Sequence, residues 1–226
     1  MTRNRIERRD FLKTATQTLL AAPALAALKG VAQTPAAHPM AKRAHAEGAP
    51  QKTPTHPPVS LNVRDYGATG DGKTKDTLAL QQTIERVSEF GGGDVVVPTG
   101  DYLTGALALR SNVTLRIEDG ASLLGSPDMA DYPFAQVRWE GHWTKGYLGF
   151  ISATDAENVA IVGPGKIIGS PTERRRNEAG TGFRNPALLE FNNCRNVRVE
   201  ELYTQQYSMW SIHPVYCCLL YTSRCV

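Results

Sequence analysis

The feature that most constrains the fold is a short unit, Asn-Val-x-aliphatic, that occurs three times in the chain. It stands at residues 112–115, 158–161 and 196–199, so the intervals are 46 and 38 residues. We interpret each interval as about two turns of a coil of roughly 20–25 residues, a repeat length typical of solenoid proteins. In a solenoid each coil buries its apolar side chains against those of the neighbouring coil. The sequence therefore predicts a chain that winds around one axis.

Short apolar runs, separated by Gly, Asn, Asp or Pro, fill the chain after Asp94 and are typical of strands and turns. A right-handed parallel β-helix accounts for both features, because alternate side chains of every coil would point inward. Asn at a bend tolerates left-handed backbone, and its amide can form a ladder with the Asn of the next coil. The predicted class is all-β, with a β-helix that is incomplete at its C-terminal end. A sandwich or barrel of many short strands also fits the strand pattern alone.

One helix is predicted at the start of the folded part. Asp76 can cap it, Leu80, Ile84 and Val87 recur at helical spacing as far as Glu89, and the glycines at 91–93 end it. We expect this short α-helix to cover the open end of the β-helix, since an uncovered stack would expose apolar side chains and strand edges. The glycine-rich segment 65–72 before it is interpreted as a turn, in which Asp65 and Asp71 have structural roles.

The first 59 residues are predicted to contain an export signal and a linker. Residues 1–32 combine a basic start with an apolar stretch that is too short to anchor the chain stably in a membrane. Arg8-Arg9-Asp10-Phe11-Leu12-Lys13 resembles a twin-arginine signal, so the twin-arginine export machinery is an expected partner and the expected destination is the periplasm or beyond. Residues 33–59 contain six prolines and too few large apolar side chains to fold alone. The folded domain is predicted to span residues 60–217.

Charge and cysteine content exclude several function classes. Residues 61–217 contain 15 Lys/Arg and 19 Asp/Glu, which is no basis for binding nucleic acid. The four cysteines, Cys194, Cys217, Cys218 and Cys225, all fall near the end of the chain without a CxxC pair. They predict neither a disulfide framework nor a metal site, and no cofactor is expected.

A series of motifs over residues 61–217 resembles a known family. The earlier motifs are shared with other β-helix proteins, including pectate lyase-like and phage tailspike-like chains, whereas the last is the discriminating one. The motifs are Val63-x-Asp65-Tyr66-Gly67-Ala68, Thr69-Gly70-Asp71-Gly72, Val95-Val96-Val97-Pro98-x-Gly100-x-Tyr102, Asn112-Val113-Thr114-Leu115 with Gly120-Ala121, Asp131-Tyr132-Pro133, Gly163-x-Gly165-x-Ile167, Arg184-Asn185-Pro186, Phe191-x-Asn193-Cys194-x-Asn196-Val197 and Ser208-x-Trp210-x-Ile212-His213-Pro214. In order and spacing they resemble the bacterial branch of glycoside hydrolase family 28, the polygalacturonases.

The resemblance implies hydrolysis of α-1,4 bonds of galacturonan, with inversion and without a metal. Inverting hydrolysis needs two carboxyl groups about 6.5–9.5 Å apart, one as acid and one as base. In the family they come from an Asn-Thr-Asp-like segment and an Asp-Asp pair beyond the Trp-x-Ile-His-Pro segment, and this chain has no Asp or Glu after Glu201. The catalytic residues are therefore expected downstream of Cys217, and the fragment is expected to be inactive. We interpret residues 218–226 as a non-native tail that builds no further coil.

Several side chains are candidates for substrate binding. Trp210 and His213 would line a sugar subsite or else pack inside the coil. Arg174, Arg175, Arg176 and Arg184, in the loop 170–186, would steer an acidic plant polysaccharide such as pectin, or else be solvated loop charges. Trp139, Trp143 and Tyr147 would form a loop on the flank of the β-helix, with sugar stacking as the alternative.

Two other functions fit parts of the sequence. A non-catalytic β-helix module that binds carbohydrate or acts as an adhesin needs no catalytic carboxylates. A lyase of this shape would depend on acidic clusters that bind calcium, and the sequence contains no such cluster.

Overall fold

The structure is a computed structural model that describes residues 58–171, 183–206 and 209–223. The predicted export signal, the linker up to residue 57, and Arg174, Arg175 and Arg176 lie outside the described residues. The first described strand begins at Val59, the last residue of the predicted linker.

Three parallel sheets are built in rotation. After the first coil, which adds strands only to sheets I and II, the chain adds one strand to sheet I, then one to sheet II, then one to sheet III in turn. Sheet I consists of β1 (Val59–Asn62), β3 (Gly93–Val97), β6 (Val113–Ile117), β11 (Glu157–Val162), β14 (Arg195–Glu200) and β17 (Cys218–Ser223). Sheet II consists of β2 (Asp71–Lys75), β4 (Gly100–Thr104), β7 (Ala121–Gly125), β12 (Lys166–Ile168) and β15 (Tyr203–Gln205). Sheet III consists of β5 (Leu107–Ala108), β10 (Ile151–Thr154), β13 (Leu189–Asn192) and β16 (Ile212–Val215). This is the predicted right-handed parallel β-helix and neither a sandwich nor a barrel.

Apolar side chains stack along the axis from coil to coil. Val113, Val159 and Val197 are fully buried, and the parallel register places them above one another in sheet I. Asn112, Asn158 and Asn196 form the predicted ladder beside them, and all three have φ between 55° and 63°. The Asn158 amide donates to Asn112 and the Asn196 amide donates to Asn158, both at 2.8 Å. The expected axial stacking is confirmed.

Helix α1 (Thr77–Glu89) takes the place of the sheet III strand in the first coil. Leu80, Ile84 and Val87 are fully buried, as predicted. Gln81 closes the edge of sheet III, because its side-chain amide donates to the Ala108 carbonyl and accepts from the Ala108 N–H, both at 2.9 Å. The helix therefore covers an edge that would otherwise present unpaired backbone groups.

Two local details before α1 differ from the sequence prediction. The Asp76 side chain makes no capping bond to the helix and instead accepts from the N–H groups of Thr69 and Gly70, at 2.7 and 3.0 Å. The segment interpreted as a turn also contains the start of β2, where Asp71 accepts from the N–H groups of Lys73 and Thr74 at 2.8 and 2.7 Å. These bonds lower the pKa of Asp71 to about 2. The turn role of Asp71 is thus confirmed. A short 3-10 helix (Val63–Tyr66) precedes this segment, and a second lies at Met129–Asp131.

The predicted number of coils between successive Asn residues is wrong, although coils without an insertion have the predicted length, such as Gly93 to its partner Val113 and Arg195 to its partner Cys218. The amides of Asn112 and Asn158, 46 residues apart, are hydrogen-bonded directly, as are those of Asn158 and Asn196, 38 residues apart. Each interval is therefore one coil, not two. The extra residues lie where the chain passes from sheet II to sheet III: residues 126–150 separate β7 from β10, and residues 169–188 separate β12 from β13. We call these two segments the inserted corner.

Part of the inserted corner is an antiparallel hairpin of β8 (Phe134–Trp139) and β9 (His142–Tyr147). Its two turn residues, Glu140 and Gly141, have φ of 45° and 89°, and positive φ at both positions is the turn that matches the twist of hairpin strands. Trp139, Trp143 and Tyr147 therefore lie on paired strands rather than in a loop.

The expectation that no coil follows Cys217 is also wrong for the backbone. Cys218–Ser223 forms β17, which pairs with β14 so that Val197 lies opposite Leu220. The side chains break the pattern, however, because Leu219 (φ 58°) stands where the Asn ladder would continue and is 51% exposed.

Candidate functional site

The end of hairpin β8–β9 lies directly on the segment that leads into β13. Gly146 pairs with Arg184 as an isolated parallel bridge, and the Tyr147 N–H donates to the Arg184 carbonyl at 3.0 Å. A Cβ on Gly146 would lie 2.8 Å from the Arg184 Cβ, so this approach requires glycine. The hairpin thereby covers the segment that leads into sheet III through β13.

A buried ion pair lies under this cover. Glu190 is on β13 between Leu189 and Phe191, and since side chains alternate along a strand it points outward where its neighbours point into the core. Its Oε1 is 2.9 Å from an Arg184 guanidinium nitrogen, and the two side chains are 8% and 0% exposed. Gly149 closes over the pair: a Cβ there would lie 2.6 Å from the Glu190 Cβ.

His213 and Trp210 complete the cluster from the next coil. His213 is the register partner of Glu190 on β16, and its Nδ1 lies 3.4 Å from Glu190 Oε1 and 3.4 Å from Arg184. The Trp210 ring stacks on the His213 ring, with centroids 4.3 Å apart and an angle of 15° between the planes. Its centroid also lies 6.0 Å from the Arg184 guanidinium carbon. The ion pair and the indole therefore fix the imidazole from two sides.

The electrostatics of the cluster favour an ionised Glu190. Burial alone would raise the pKa of this carboxyl, but hydrogen bonds from His213 and Arg184 and the charge of Arg184 outweigh it. The pKa of Glu190 is therefore lower than its usual value of 4.5. A carboxylate held in this state has its charge neutralised by Arg184 and is suited to positioning His213 rather than to donating a proton.

The structure brings together three of the six predicted substrate-binding residues. Trp210 and His213 are partly exposed, whereas Arg184 is fully buried and acts on a ligand only through the residues that it positions. Glu190 was missed. The available signal was a single carboxylate in an otherwise apolar strand, Leu188-Leu189-Glu190-Phe191.

Of the three hairpin aromatics, Trp143 presents the most surface and is 49% exposed. Trp139 and Tyr147 are partly buried, and Tyr147 packs edge-to-face against Phe134 with ring centroids 5.2 Å apart. Phe134 in turn contacts Phe183 at 5.1 Å, also edge-to-face. The inserted corner therefore has an aromatic outer surface, with Phe134 and Phe183 46% and 44% exposed.

A second concavity of about 380 Å³ lies where sheet I turns into sheet II. Its acidic side chains are Glu118, Asp119, Glu200 and Glu201, and its basic side chains are Arg116 and Arg198. Glu200 is paired with Arg198 at 3.4 Å. Across residues 58–171, 183–206 and 209–223, no three His, Cys, Asp or Glu side chains are grouped as metal ligands. In the same residues no helix has the length and apolar character needed to cross a bilayer.

The chain is similar in sequence to a pectate lyase-like family model and to proteins named as polygalacturonases. Residues 60–129 match the family model described as rhamnogalacturonase A/epimerase, pectate lyase-like. The chain is 29% identical over 168 residues to a probable polygalacturonase of Vitis vinifera, an alignment covering 70% of this chain and 34% of the relative. It is 37% identical over 130 residues to an exo-poly-alpha-D-galacturonosidase of Dickeya chrysanthemi, covering 54% of this chain and 21% of the relative.

A solved structure gives the same result for the fold. The crystal structure of an exopolygalacturonase from Thermotoga maritima superposes with a TM-score of 0.65 and 30% identity, covering 75% of this chain and 46% of that one. The chain thus spans about a third or less of the length of the two sequence relatives and about half of this structure.

Proposed function

Because the chain belongs to the polygalacturonase-like β-helix proteins of glycoside hydrolase family 28, we propose that it forms the sugar-binding N-terminal coils of a glycosidase that acts on pectin. The observation that carries the proposal is the cluster on the outer face of sheet III. There Trp210 and His213, both partly exposed, are held in place by the buried Arg184–Glu190 pair. An indole fixed in this way can stack on a pyranose ring, and an imidazole can hydrogen-bond a sugar hydroxyl.

We also propose that this chain by itself binds galacturonan without cleaving it. Inverting hydrolysis requires two carboxyl groups about 6.5–9.5 Å apart, one of them protonated. Glu190 is the carboxylate of the Trp210–His213 cluster, and it is ionised and buried in its ion pair. The segment that follows Glu201 supplies neither Asp nor Glu. The two carboxylates that the resemblance implies after the Trp210–Pro214 motif therefore have no counterpart in residues 202–226.

The test is native gel electrophoresis of the full chain in gels containing polygalacturonate. We expect retardation by polygalacturonate and not by neutral dextran, with Trp210→Ala weakening binding about tenfold, equivalent to loss of one stacking contact. Phe90→Ala is the matched control, because Phe90 is also exposed but lies at the end of α1. Equal retardation by dextran, or unchanged binding of Trp210→Ala, would contradict the proposal.

The same protein should release no reducing ends from polygalacturonate. Turnover at an ordinary enzymatic rate would show that this chain carries its own catalytic carboxylates. A longer gene product that binds pectin and also fails to cleave it would favour the non-catalytic binding module instead.

Export by the twin-arginine route is part of the proposal and is supported by the sequence Arg8-Arg9-Asp10-Phe11-Leu12-Lys13. Residues 1–57 fused to a folded fluorescent reporter should direct it out of the cytoplasm, to the periplasm or beyond. Replacing Arg8 and Arg9 by Lys should retain the reporter in the cytoplasm. Export that is unaffected by this double substitution would argue for a different route.

A further inference from the structure

Three side chains, Arg138, Trp143 and Tyr216, form a second cluster that shares no residue with the site of Trp210 and His213. The two aromatic side chains are exposed and Arg138 is half-buried. Arg138 and Trp143 are register partners across hairpin β8–β9. Tyr216 comes from the end of β16, far along the chain. The Arg138 guanidinium carbon lies 5.8 Å from the centroid of the Trp143 ring and 5.9 Å from that of the Tyr216 ring. The inserted corner thus places a cation against two aromatic rings from different coils.

The charge of Arg138 has no counter-ion within the described part of the chain, where no carboxylate lies within 4.0 Å of its guanidinium. The arginine at the end of α1 shows the contrast. Arg86 also lies over an aromatic ring, that of Phe90 at 4.3 Å, but it is paired with Glu89 at 2.9 Å. Arg138 therefore retains hydrogen-bonding capacity for an anion that Arg86 has already used.

The backbone of Tyr216 is unusual for its residue type. Its φ is 55°, and the corresponding positions of the two preceding coils are Asp155 and Asn193, each with φ of 53°. Asp and Asn tolerate this left-handed conformation, whereas an aromatic side chain there is strained. Asn would therefore be less strained than Tyr at this position. The Tyr side chain that stands there instead is 60% exposed and lies beside Arg138.

We propose that Arg138, Trp143 and Tyr216 form a separate binding subsite for a uronate unit. The apolar face of the pyranose lies on one of the two exposed rings, and the sugar carboxylate accepts hydrogen bonds from the guanidinium. A neutral sugar would gain only the stacking contact, so the subsite selects for free carboxylates over methyl esters. The choice of galacturonate as the sugar rests on the proposed function, while the selectivity for an anionic ring follows from a guanidinium that no carboxylate of the described residues pairs with.

The experiment is calorimetric titration of the full chain with short α-1,4-oligogalacturonates and with their fully methyl-esterified counterparts. We expect Arg138→Leu and Trp143→Ala each to weaken binding of the acidic oligomer about tenfold. Arg138→Lys should recover part of the loss, since it restores the charge but not the planar fork. The esterified oligomer should bind weakly to the wild type and show little further change in Arg138→Leu.

The variant Tyr216→Asn tests whether weakened binding comes from loss of the aromatic ring rather than from loss of folded protein. It removes the ring while restoring the residue type that the preceding coil uses at this backbone position, so it should weaken binding and leave the unfolding transition unchanged or raised. The matched control is Arg86→Gln with Phe90→Ala, which removes the neutralised cation and aromatic ring of α1 and should leave affinity unchanged.

The outcomes separate this proposal from the proposed function. If the wild type binds and Trp210→Ala weakens binding, but Arg138→Leu and Tyr216→Asn bind within twofold of wild type, the separate subsite is refuted and the proposed function stands. Equal affinity for acidic and esterified oligomers would also refute the subsite. If the wild type binds neither oligomer, both proposals fail.

Discussion

Two corners of the β-helix differ in the length of their connections and in whether their backbone conformation repeats from coil to coil. Where sheet III passes into sheet I the connections are short in every coil, at residues 109–112, 155–156, 193–194 and 216–217. Where sheet II passes into sheet III the connection is residues 105–106 in one coil and 126–150 in the next. The first corner repeats one backbone solution, left-handed residues that are mostly Asn or Asp. The second corner has no repeated backbone pattern, and it carries the hairpin, Arg184 of the buried ion pair, and the exposed side chains of Phe134, Trp143 and Phe183.

The difference shows that the repeated backbone requirement lies at the short corners, whereas the candidate site lies beside the long corner. A short corner leaves the chain little freedom, so each coil must meet the same backbone requirement and the same side chains recur. A long corner is free of the repeat, and a rigid stack beneath it holds its side chains in place. In this molecule Arg184, Glu190 and His213 come from three different positions in two coils and contact one another directly, while the hairpin end contacts Arg184. We therefore expect the two corners to respond differently to substitution.

The largest effect is expected beside the inserted corner, for Glu190→Gln on β13. This substitution leaves the fully buried Arg184 guanidinium without its counter-ion, and removing one partner of a buried pair costs about 3–5 kcal/mol. The matched control is Glu200→Gln, which breaks the exposed Arg198–Glu200 pair and should cost about 0–1 kcal/mol. The free energy of unfolding is measured by urea titration. Equal losses in the two variants would remove the distinction between the inserted corner and the surface of sheet I.

Measuring the free energy of unfolding of wild type and Glu190→Gln at several pH values tests whether the charge of Glu190 causes the difference. Because the folded pKa of Glu190 is depressed, its contribution to stability is fully present above its unfolded pKa of about 4.3 and is lost as pH falls through the folded value. The difference in stability between wild type and Glu190→Gln should therefore shrink below about pH 4. A difference that is constant down to low pH would show that the carboxylate charge is not what stabilises the corner.

The short corner could be predicted from the sequence because the backbone conformation that it requires depends only on neighbouring residues. Left-handed backbone selects Asn, the following Val must point inward, and the resulting unit is visible at Asn112, Asn158 and Asn196. The number of coils could not be predicted in the same way. An interval of 46 residues fits two plain coils as well as one coil with an insertion, and only the pairing of Asn158 with Asn112 distinguishes them.

The inserted corner could be predicted only in part. A resemblance of motifs selected Trp210, His213 and Arg184, but the burial of Arg184 depends on a hairpin whose turn, Glu140-Gly141, lacks the usual Asn-Gly or Asp-Gly signal. Glu190 has no local signature of its role, because its partners come from the preceding segment and from the next coil. Long-range packing fixes both, and single-sequence patterns do not report it.

At the short corner a smaller loss is expected, for Asn158→Ala. Asn158 donates to Asn112 and accepts from Asn196, each at 2.8 Å, with φ of 55°. Alanine removes both amide bonds and keeps a Cβ in left-handed backbone, for a cost of about 2 kcal/mol. Asn158→Gly also removes the bonds but tolerates the conformation, so it should cost less. Equal destabilisation by Ala and Gly would show that backbone strain is not part of the ladder's role.

The smallest effect is a gain, expected when the ladder is extended by one coil with Leu219→Asn. Leu219 lies opposite Asn196 in the register of β14 and β17, is 51% exposed and has φ of 58°. Asn tolerates this conformation better than Leu, and its amide would reach the Asn196 side chain as Asn196 reaches Asn158. We expect a stabilisation of about 1 kcal/mol in urea titration. The variant Leu219→Gly relieves the backbone strain without adding an amide. If Asn forms a hydrogen bond to Asn196, Leu219→Asn should therefore be more stable than Leu219→Gly. If Asn and Gly are equivalent, or if Asn destabilises the protein, the short corner does not repeat its solution in β17.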